Sequence, residues 1–317
     1  MENDPRAQER LVVSCFFLIP TVMLLIGYLF FPFPPSDIGL NLSYIPLFLG
    51  LILLGIGFFW KTKPRKRSMM KMLGWGVFAF FWALQPNQLY RPSGDVFNGA
   101  VCIIGVYVLF YLGYHEWLSW KRNEENSALQ WIAGGTFLAG IIYFTIDTGV
   151  FPGLKTWMIT SVAEQTRIVL HVFGIPATGE GVLINYQNAP ITIIFACTAI
   201  QSMVLFVGMI GALHKASLKR KLVGLGVTVI PIYFLNLLRN AGVVYMVGSN
   251  LTSFDIAHNV IAKAGSLVAL IILLLITFKI VPELYDEIMG VIDLPKRNGP
   301  VELFLKRLVG KKTNDAR

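Results

Sequence analysis

Residues 191–213 have the sequence ITIIFACTAIQSMVLFVGMIGAL, an apolar stretch without a charged residue. A helix of about 20 apolar residues spans the hydrocarbon core of a bilayer, so this stretch predicts a transmembrane helix. Similar stretches recur along the chain, in which 55% of the residues are hydrophobic and 14% are charged. Soluble domains carry about 25% charged residues. The sequence therefore predicts an all-α polytopic membrane protein.

We predict about eight transmembrane helices in a single integral-membrane domain, residues 1–317, whose first helix is retained. The spans are 11–31, 40–60, 70–87, 96–118, 129–150, 191–213, 222–247 and 257–280. Lys and Arg concentrate in cytoplasmic loops. All but five of the 27 lie in alternate segments, which places both termini and a basic tail, 282–317, in the cytoplasm. The exceptions are Arg91, Lys155, Arg167, Arg239 and Lys263.

The largest segment on the predicted outer side is the insertion 151–190. Its first part, Leu154 to Phe173, has apolar residues at helical spacing. This predicts an amphipathic helix that either lies in the membrane interface or packs on the bundle. Residues 179–193, GEGVLINYQNAPITI, are rich in glycine, asparagine and β-branched residues. They indicate a short extended or hairpin element that leads into the sixth span.

Composition also argues against several kinds of partner. The net charge of +9 does not indicate nucleic-acid binding, because the basic residues lie in short loops between spans. Cys15, Cys102 and Cys197 are far apart in apolar segments, with neither metal-binding spacing nor a disulfide framework. The sequence implies no metal and no soluble cofactor.

Three reactive side chains lie toward the outer ends of the last three predicted spans: Cys197, Arg239 and His258. At 1.5 Å per residue, Cys197 is expected about 9 Å inside its span and Arg239 about 12 Å. An arginine at the helix centre costs about 2.5–3.5 kcal/mol on insertion scales, and such a cost usually marks a site. A thiol, a permanent cation and a proton carrier at one depth support acyl transfer through a thioester.

Each of these residues also has an ordinary structural interpretation. A lone cysteine fills space in a helix, an arginine near the interface snorkels, and a histidine at a helix start is often interfacial. Polar neighbours of the three are expected to form either a supporting shell or ordinary interhelical hydrogen bonds. These neighbours are Thr198, Gln201, Asn236, Asn240, Asp255 and Asn259, of which Asp255 is expected to orient the histidine ring. Asp147 is a further candidate polar contact, and Lys263 either pairs with a carboxylate or lines the cavity.

Three strings resemble the archaeosortase/exosortase family: ACTAIQSMVLFVGMIGAL (196–213), NLLRNAGVVYMVG (236–248) and FDIAHNVIAKAGSLVAL (254–270). The family pattern is a cysteine followed by Thr or Ser and then Gly, an arginine followed by asparagine on the next span, and a histidine or arginine on the last. The similarity extends from about residue 74 to residue 294.

The resemblance implies a membrane transpeptidase with sortase-like chemistry. Cys197 would be the nucleophile, Arg239 would stabilise the oxyanion or the thiolate, and His258 would fill the third position. The implied substrates are exported surface proteins, S-layer glycoproteins among them, with a C-terminal tripartite signal that begins with a Pro-Gly-Phe motif in the archaeosortase branch. The implied acceptor is a prenyl-derived membrane lipid.

Two residues depart from the family pattern. Ala199 stands where the family usually has glycine, and its methyl group narrows the backbone approach. His258 stands where many archaeosortases have arginine, which cannot act as a base. The third role is therefore either electrostatic or hydrogen-bonding, or His258 adds proton transfer that the arginine versions lack.

Two other functions remain open from the sequence. The first is an intramembrane cysteine protease that uses the same residues and releases its product to water. The second is a non-enzymatic transporter in which Arg239 binds an anion. Transporters often show inverted repeats, and this sequence shows none.

Overall fold

The computed structural model describes residues 5–60, 63–91, 96–187 and 189–310. The end of the predicted basic tail, 311–317, and two residues of the first basic loop, 61–62, lie outside the described residues. The helices are α1 (Pro5–Phe30), α2 (Asp37–Phe59), α3 (Pro64–Ala83), α4 (Pro86–Tyr90), α5 (Val96–Arg122), α6 (Ser127–Asp147), α7 (Pro152–Val172), α8 (Ile200–Gly211), α9 (Leu218–Gly248), α10 (Lys263–Ile280), α11 (Pro282–Ile292) and α12 (Pro300–Leu308). The antiparallel strands β1 (Leu183–Tyr186) and β2 (Ala189–Thr192) lie between α7 and α8.

Six helical segments in the described part of the chain are long and apolar enough to cross a membrane. They are Ala7–Phe30, Asp37–Phe59, Val96–Arg122, Ser127–Asp147, Leu218–Gly248 and Ile256–Ile280. These segments coincide with six of the eight predicted spans. The all-α polytopic class is confirmed.

The two remaining predicted spans, 70–87 and 191–213, contain the helices α3 and α8. The first eight residues of α3 include four basic ones, Arg65, Lys66, Arg67 and Lys71, so its apolar part is short. α8 has 12 residues, about 18 Å at 1.5 Å per residue, which is shorter than a hydrocarbon core of about 30 Å. The count of eight spans is therefore not confirmed.

The residues cluster into two compact units, of which the first comprises Met1–Phe137 and Glu287–Arg317. In this unit α3 packs against both α2 and α5. Close packing is possible because Gly50 faces Phe78: a Cβ at Gly50 would lie 2.8 Å from the Phe78 nitrogen. Trp75 and Ala79 of α3 are fully buried. The buried Lys71 ammonium forms an ion pair with the buried Glu116 carboxylate at 2.8 Å.

The second unit, Leu138–Asp286, contains both elements predicted in the insertion 151–190. α7 is the amphipathic helix, and β1 and β2 are the hairpin. α7 packs on α9, where the Tyr233 hydroxyl donates to Gln165 Oε1 at 2.7 Å. The hairpin places Ile184 and Ile191 in the same core as Val244 of α9.

One face of α7 in the second unit remains uncovered. Its buried residues include Val162, Ala163 and Leu170, whereas Trp157 and Ile168 are exposed. Of the apolar residues at helical spacing in this helix, Val162 therefore packs inward, whereas Trp157 and Ile168 lie on a second, exposed apolar surface. The helix is thus apolar on more than the face that it buries.

Candidate active site

Cys197 lies in a short 3-10 helix, Phe195–Thr198, between β2 and α8. The expected position, one and a half turns inside a helix, is wrong because β2 extends to Thr192 and α8 begins only at Ile200. The β-branched run Ile191–Ile194 favours extended backbone, which delays the helix. Cys197 is 7% exposed and belongs to the core that contains Leu237 and Ala241 of α9.

Ala199 separates the 3-10 helix from α8. Its φ of 59° is in the left-handed region, and its carbonyl accepts the first backbone hydrogen bond of α8, from Met203 N at 3.0 Å. A residue with a Cβ adopts this conformation at a cost of about 1–2 kcal/mol, whereas glycine adopts it readily. The left-handed turn after the cysteine therefore gives a second reason, besides close approach of the backbone, why the family usually has glycine at this position.

Two asparagines of α9 hold the backbone of Cys197. Asn236 Nδ2 and Asn240 Nδ2 donate to the Cys197 carbonyl oxygen at 2.8 Å and 3.0 Å. Both asparagines are 5% exposed. Their spacing of four residues places them on one face of the helix. Because both donors end on one carbonyl, they fix the position of the residue that carries the thiol.

Thr198 stabilises the same turn from within. Its hydroxyl donates to the Phe195 carbonyl at 2.7 Å and accepts from Ile200 N at 3.4 Å. Thr198 is 1% exposed. The turn that presents Cys197 is thus held both by its own side chains and by α9.

Arg239 lies between the two asparagines on α9 and shares their face. At 100° per residue, Asn236, Arg239 and Asn240 fall within an arc of about 100°. The guanidinium is partly buried, and its Nε has no hydrogen-bond partner among the described residues. An unpaired buried donor is costly, so Arg239 is arranged to receive an acceptor.

A cavity of about 650 Å³ lies beside this face of α9. It is lined by Arg239 and Asn236 of α9, by Ala196 and Ala199 on either side of the Cys197–Thr198 pair, and by Gln201 of α8. Lys263 of α10 also lines the cavity. Of the two expectations for this residue, pairing with a carboxylate or lining the cavity, the structure shows the second.

His258 lies in a π-helix, Ile256–Ala262, that precedes α10. Its ring stacks on Phe254, with 5.2 Å between the ring centroids. The neighbouring Ala257 is fully buried in the core that contains Cys197. Helical segments with a π-bulge are frequent at functional sites.

Asp255 and Asn259 pair with each other across this π-helix. Asn259 Nδ2 donates to Asp255 Oδ1 at 2.6 Å. The carboxylate expected to orient the His258 ring thus accepts from asparagine, and the ring is oriented by its contact with Phe254.

An ion pair between Lys155 and Asp147 lies near Cys197, and only one of its two partners was predicted from the sequence. Lys155 Nζ donates to Asp147 Oδ1 at 2.9 Å and lies 5.1 Å from the centroid of the Phe195 ring, two residues before the cysteine. The sequence indicated Asp147 as a polar contact but not its partner. The indication was available, because Lys155 is one of the few basic residues on the predicted outer side.

The described residues place the Cys197 turn, Arg239 of α9 and the π-helix with His258 on neighbouring elements of one unit of a polytopic membrane protein. A sequence model described as transmembrane exosortase (Exosortase_EpsH) matches residues 51–278, which include Cys197, Arg239 and His258. The chain belongs to this family, a group of membrane enzymes of the sortase-like, protein-processing type.

Two curated relatives agree with this membership. The chain is 26% identical to archaeosortase A of Haloferax volcanii, over 69% of this chain and 82% of the relative. It is also 26% identical to archaeosortase A of Natronomonas pharaonis, over 69% of this chain and 79% of the relative. No solved structure matches the chain significantly.

Proposed function

We propose that this chain is a membrane cysteine transpeptidase. It would cleave the C-terminal sorting signal of exported surface proteins and transfer the new C-terminus to a prenyl-derived lipid. The observation that carries the proposal is the turn Phe195–Ala199, in which Asn236 and Asn240 fix Cys197. On the same face of α9 lies Arg239, whose buried Nε has no hydrogen-bond partner in the part of the chain that the structure describes. The two archaeosortase A relatives support the reaction type.

The first half of the reaction forms a thioester. The Cys197 thiolate attacks the scissile carbonyl carbon, and the Arg239 guanidinium stabilises the oxyanion of the tetrahedral intermediate. The intermediate collapses when the C–N bond breaks, and the leaving amine takes a proton, which His258 carries in this proposal. The product is the acyl group of the exported protein, called the client below, bound to the sulfur of Cys197. The released peptide contains the hydrophobic tail of the sorting signal.

The second half consumes the thioester. A hydroxyl or amino group of the lipid attacks the carbonyl carbon, the C–S bond breaks, and the proton of the nucleophile returns the sulfur to a thiol. Water competes for the same carbon, so the apolar walls of the cavity favour transfer by excluding it. Client tail and lipid both lie in the bilayer, which raises their effective concentration at the site.

Mass spectrometry of a client with a Pro-Gly-Phe-type signal tests this proposal. We expect a shortened, lipid-bearing C-terminus with the wild type and an intact tail with Cys197→Ser. Cys102→Ala is the matched control, because it removes another buried thiol, on α5. It should process the client normally.

Two results would contradict the proposal. A client that keeps its tail in the presence of the wild type would exclude the whole reaction. A shortened client without lipid would leave thiol catalysis in place but replace lipid transfer by hydrolysis, the protease alternative.

A further inference from the structure

The cavity beside α9 contains two cations without acidic partners. Arg239 and Lys263 both line it, and no Asp or Glu is among its lining residues. Neither residue forms a salt bridge within the described part of the chain. Both lie in segments that are apolar enough to cross a membrane. An unpaired charge at such a position is costly, so the cavity is complementary to an anion.

Most of the remaining lining of the cavity is apolar, and Ser202 and Ser266 are polar members of it. Its leucines come from two helices, Leu235 and Leu238 of α9 with Leu267, Leu270 and Leu273 of α10. Gly265 and Ser266, between Lys263 and these leucines, leave room close to the helix backbone. The cavity therefore combines a cationic end with a wall that suits hydrocarbon chains.

The two cations have different neighbours. Arg239 shares the face of α9 that holds Cys197, so it is committed to the reacting carbonyl in the proposed reaction. Lys263 lies at the first residue of α10, next to the leucines, and its side chain is otherwise exposed. A lysine ammonium on a flexible stem is a common point-charge ligand of phosphate.

We infer that Lys263 binds the phosphate of a long-chain lipid whose hydrocarbon chains lie along the leucine wall. A free phosphate would leave the leucines unused. As the acceptor of the thioester, an assignment that rests on the proposed function, the lipid would present a hydroxyl or amino group of its head to Cys197.

Lipid binding is measurable without any client. The probes are a dialkylglycerol phosphate, the same dialkylglycerol without phosphate, and inorganic phosphate alone, each added to detergent-purified protein while its thermal midpoint is followed. We expect the phosphate lipid to raise the midpoint of the wild type. Lys263→Gln should weaken this binding about tenfold or more, as expected for loss of a charge-assisted hydrogen bond, and Lys263→Arg should restore most of it.

Lys279→Gln is the matched control, because Lys279 is exposed at the other end of α10 and does not line the cavity. It should bind the phosphate lipid like the wild type. The inference is overturned if the neutral lipid stabilises the protein equally, or if inorganic phosphate alone does so. It is also overturned if Lys263→Gln binds the phosphate lipid as the wild type does.

A second measurement separates this inference from the proposed function. With client present, Lys263→Gln should lower the share of processed client that carries lipid, and raise the hydrolysed share. If the phosphate lipid binds through Lys263 while Cys197→Ser still processes the client, the proposed function fails and the lipid site stands. If Cys197→Ser is inactive while Lys263→Gln lipidates normally, the lipid site fails and the proposed function stands.

Discussion

The Cys197 carbonyl joins the residue that carries the proposed nucleophile to α9. It accepts from both Asn236 and Asn240, so removal of one asparagine leaves one hydrogen bond, and removal of both leaves a buried acceptor unsatisfied. An unsatisfied buried group costs about 1–3 kcal/mol. The two substitutions should therefore be strongly non-additive.

We predict that Asn236→Ala and Asn240→Ala each lower the rate of client cleavage about threefold, and that the double variant lowers it about 100-fold. The measurement is a double-mutant cycle on kcat. Thr228→Val is the control, because the buried Thr228 hydroxyl bonds only within α9, to Gly224 and Leu225. Additive effects of the two asparagines would show that the shared carbonyl does not matter for the reaction.

Most substitutions of alanine by glycine destabilise a folded protein, but at Ala199 we predict that glycine stabilises it. Because the φ of Ala199 is 59°, Ala199→Gly relieves left-handed strain and should raise the free energy of unfolding by about 1 kcal/mol. Ala269→Gly, within the regular helix α10, should lower it by about 1 kcal/mol. Both are measured by chemical denaturation in detergent. A loss of stability in Ala199→Gly would mean that the alanine methyl packs more favourably than the turn is strained.

At the scale of elements, the docking of α12 in the first unit depends on one carboxylate. Glu302 accepts from the hydroxyls of Tyr111 at 2.8 Å and Tyr114 at 3.0 Å, and pairs with His115 at 3.2 Å. Burial raises the pKa of Glu302, but the contact with His115 and the hydrogen bond from Tyr111 outweigh burial and hold the pKa at about 2. α12 is thus attached to α5 through an ionised glutamate.

The pKa of Glu302 sets the direction of the pH dependence. A glutamate titrates at about 4.3 when unfolded, so a folded pKa near 2 adds stability that is complete above pH 4.3. This stability, about 1–3 kcal/mol, is lost as the pH falls from 4.3 to 2.

We predict that Glu302→Gln lowers the thermal midpoint at pH 6, and that its midpoint then falls less than that of the wild type between pH 5 and 3. Glu125→Gln is the control, because the Glu125 carboxylate is 55% exposed in its ion pair with Arg67. It should follow the wild type. Parallel pH curves for Glu302→Gln and the wild type would contradict the low pKa.

Over the molecule as a whole, the sequence predicted the helices and the hairpin better than it predicted the breaks within helical segments. Apolar length defined most helices, and the turn residues of 179–193 predicted the hairpin. The break at Ala199 was not predictable, because an apolar run does not distinguish a helix from an extended segment. The π-helix around His258 has the same composition as an α-helix. The cavity depends on how helices that are distant in sequence pack together, and no local sequence pattern predicts this packing.

The site residues show the same division. The sequence indicated Asn236 and Asn240 as polar neighbours of the site, but not that both would bind the carbonyl of Cys197. Asp255 was expected to orient the His258 ring, and the structure shows that its carboxylate accepts from Asn259, one turn further along the chain. Sequence thus selected the residues, and packing decided their partners.

The orientation of the chain in the membrane is the last prediction, and the proposed function depends on it. The distribution of Lys and Arg places the insertion 151–190 outside and the C-terminal tail inside. In a Cys15→Ser background, Glu180→Cys should react with a membrane-impermeant maleimide on intact cells. Lys296→Cys, whose native side chain is 76% exposed, should react only after the cells are permeabilised.

The parent without an introduced cysteine should stay unlabelled, because Cys102 and Cys197 are buried. The hairpin of the insertion packs in the core that contains Cys197, so labelling of Glu180→Cys from outside also locates the site. Exported clients are processed only by a site on that side. The reverse labelling pattern would place the thiol in the cytoplasm, where no exported protein reaches it, and a sorting reaction on surface proteins would be excluded.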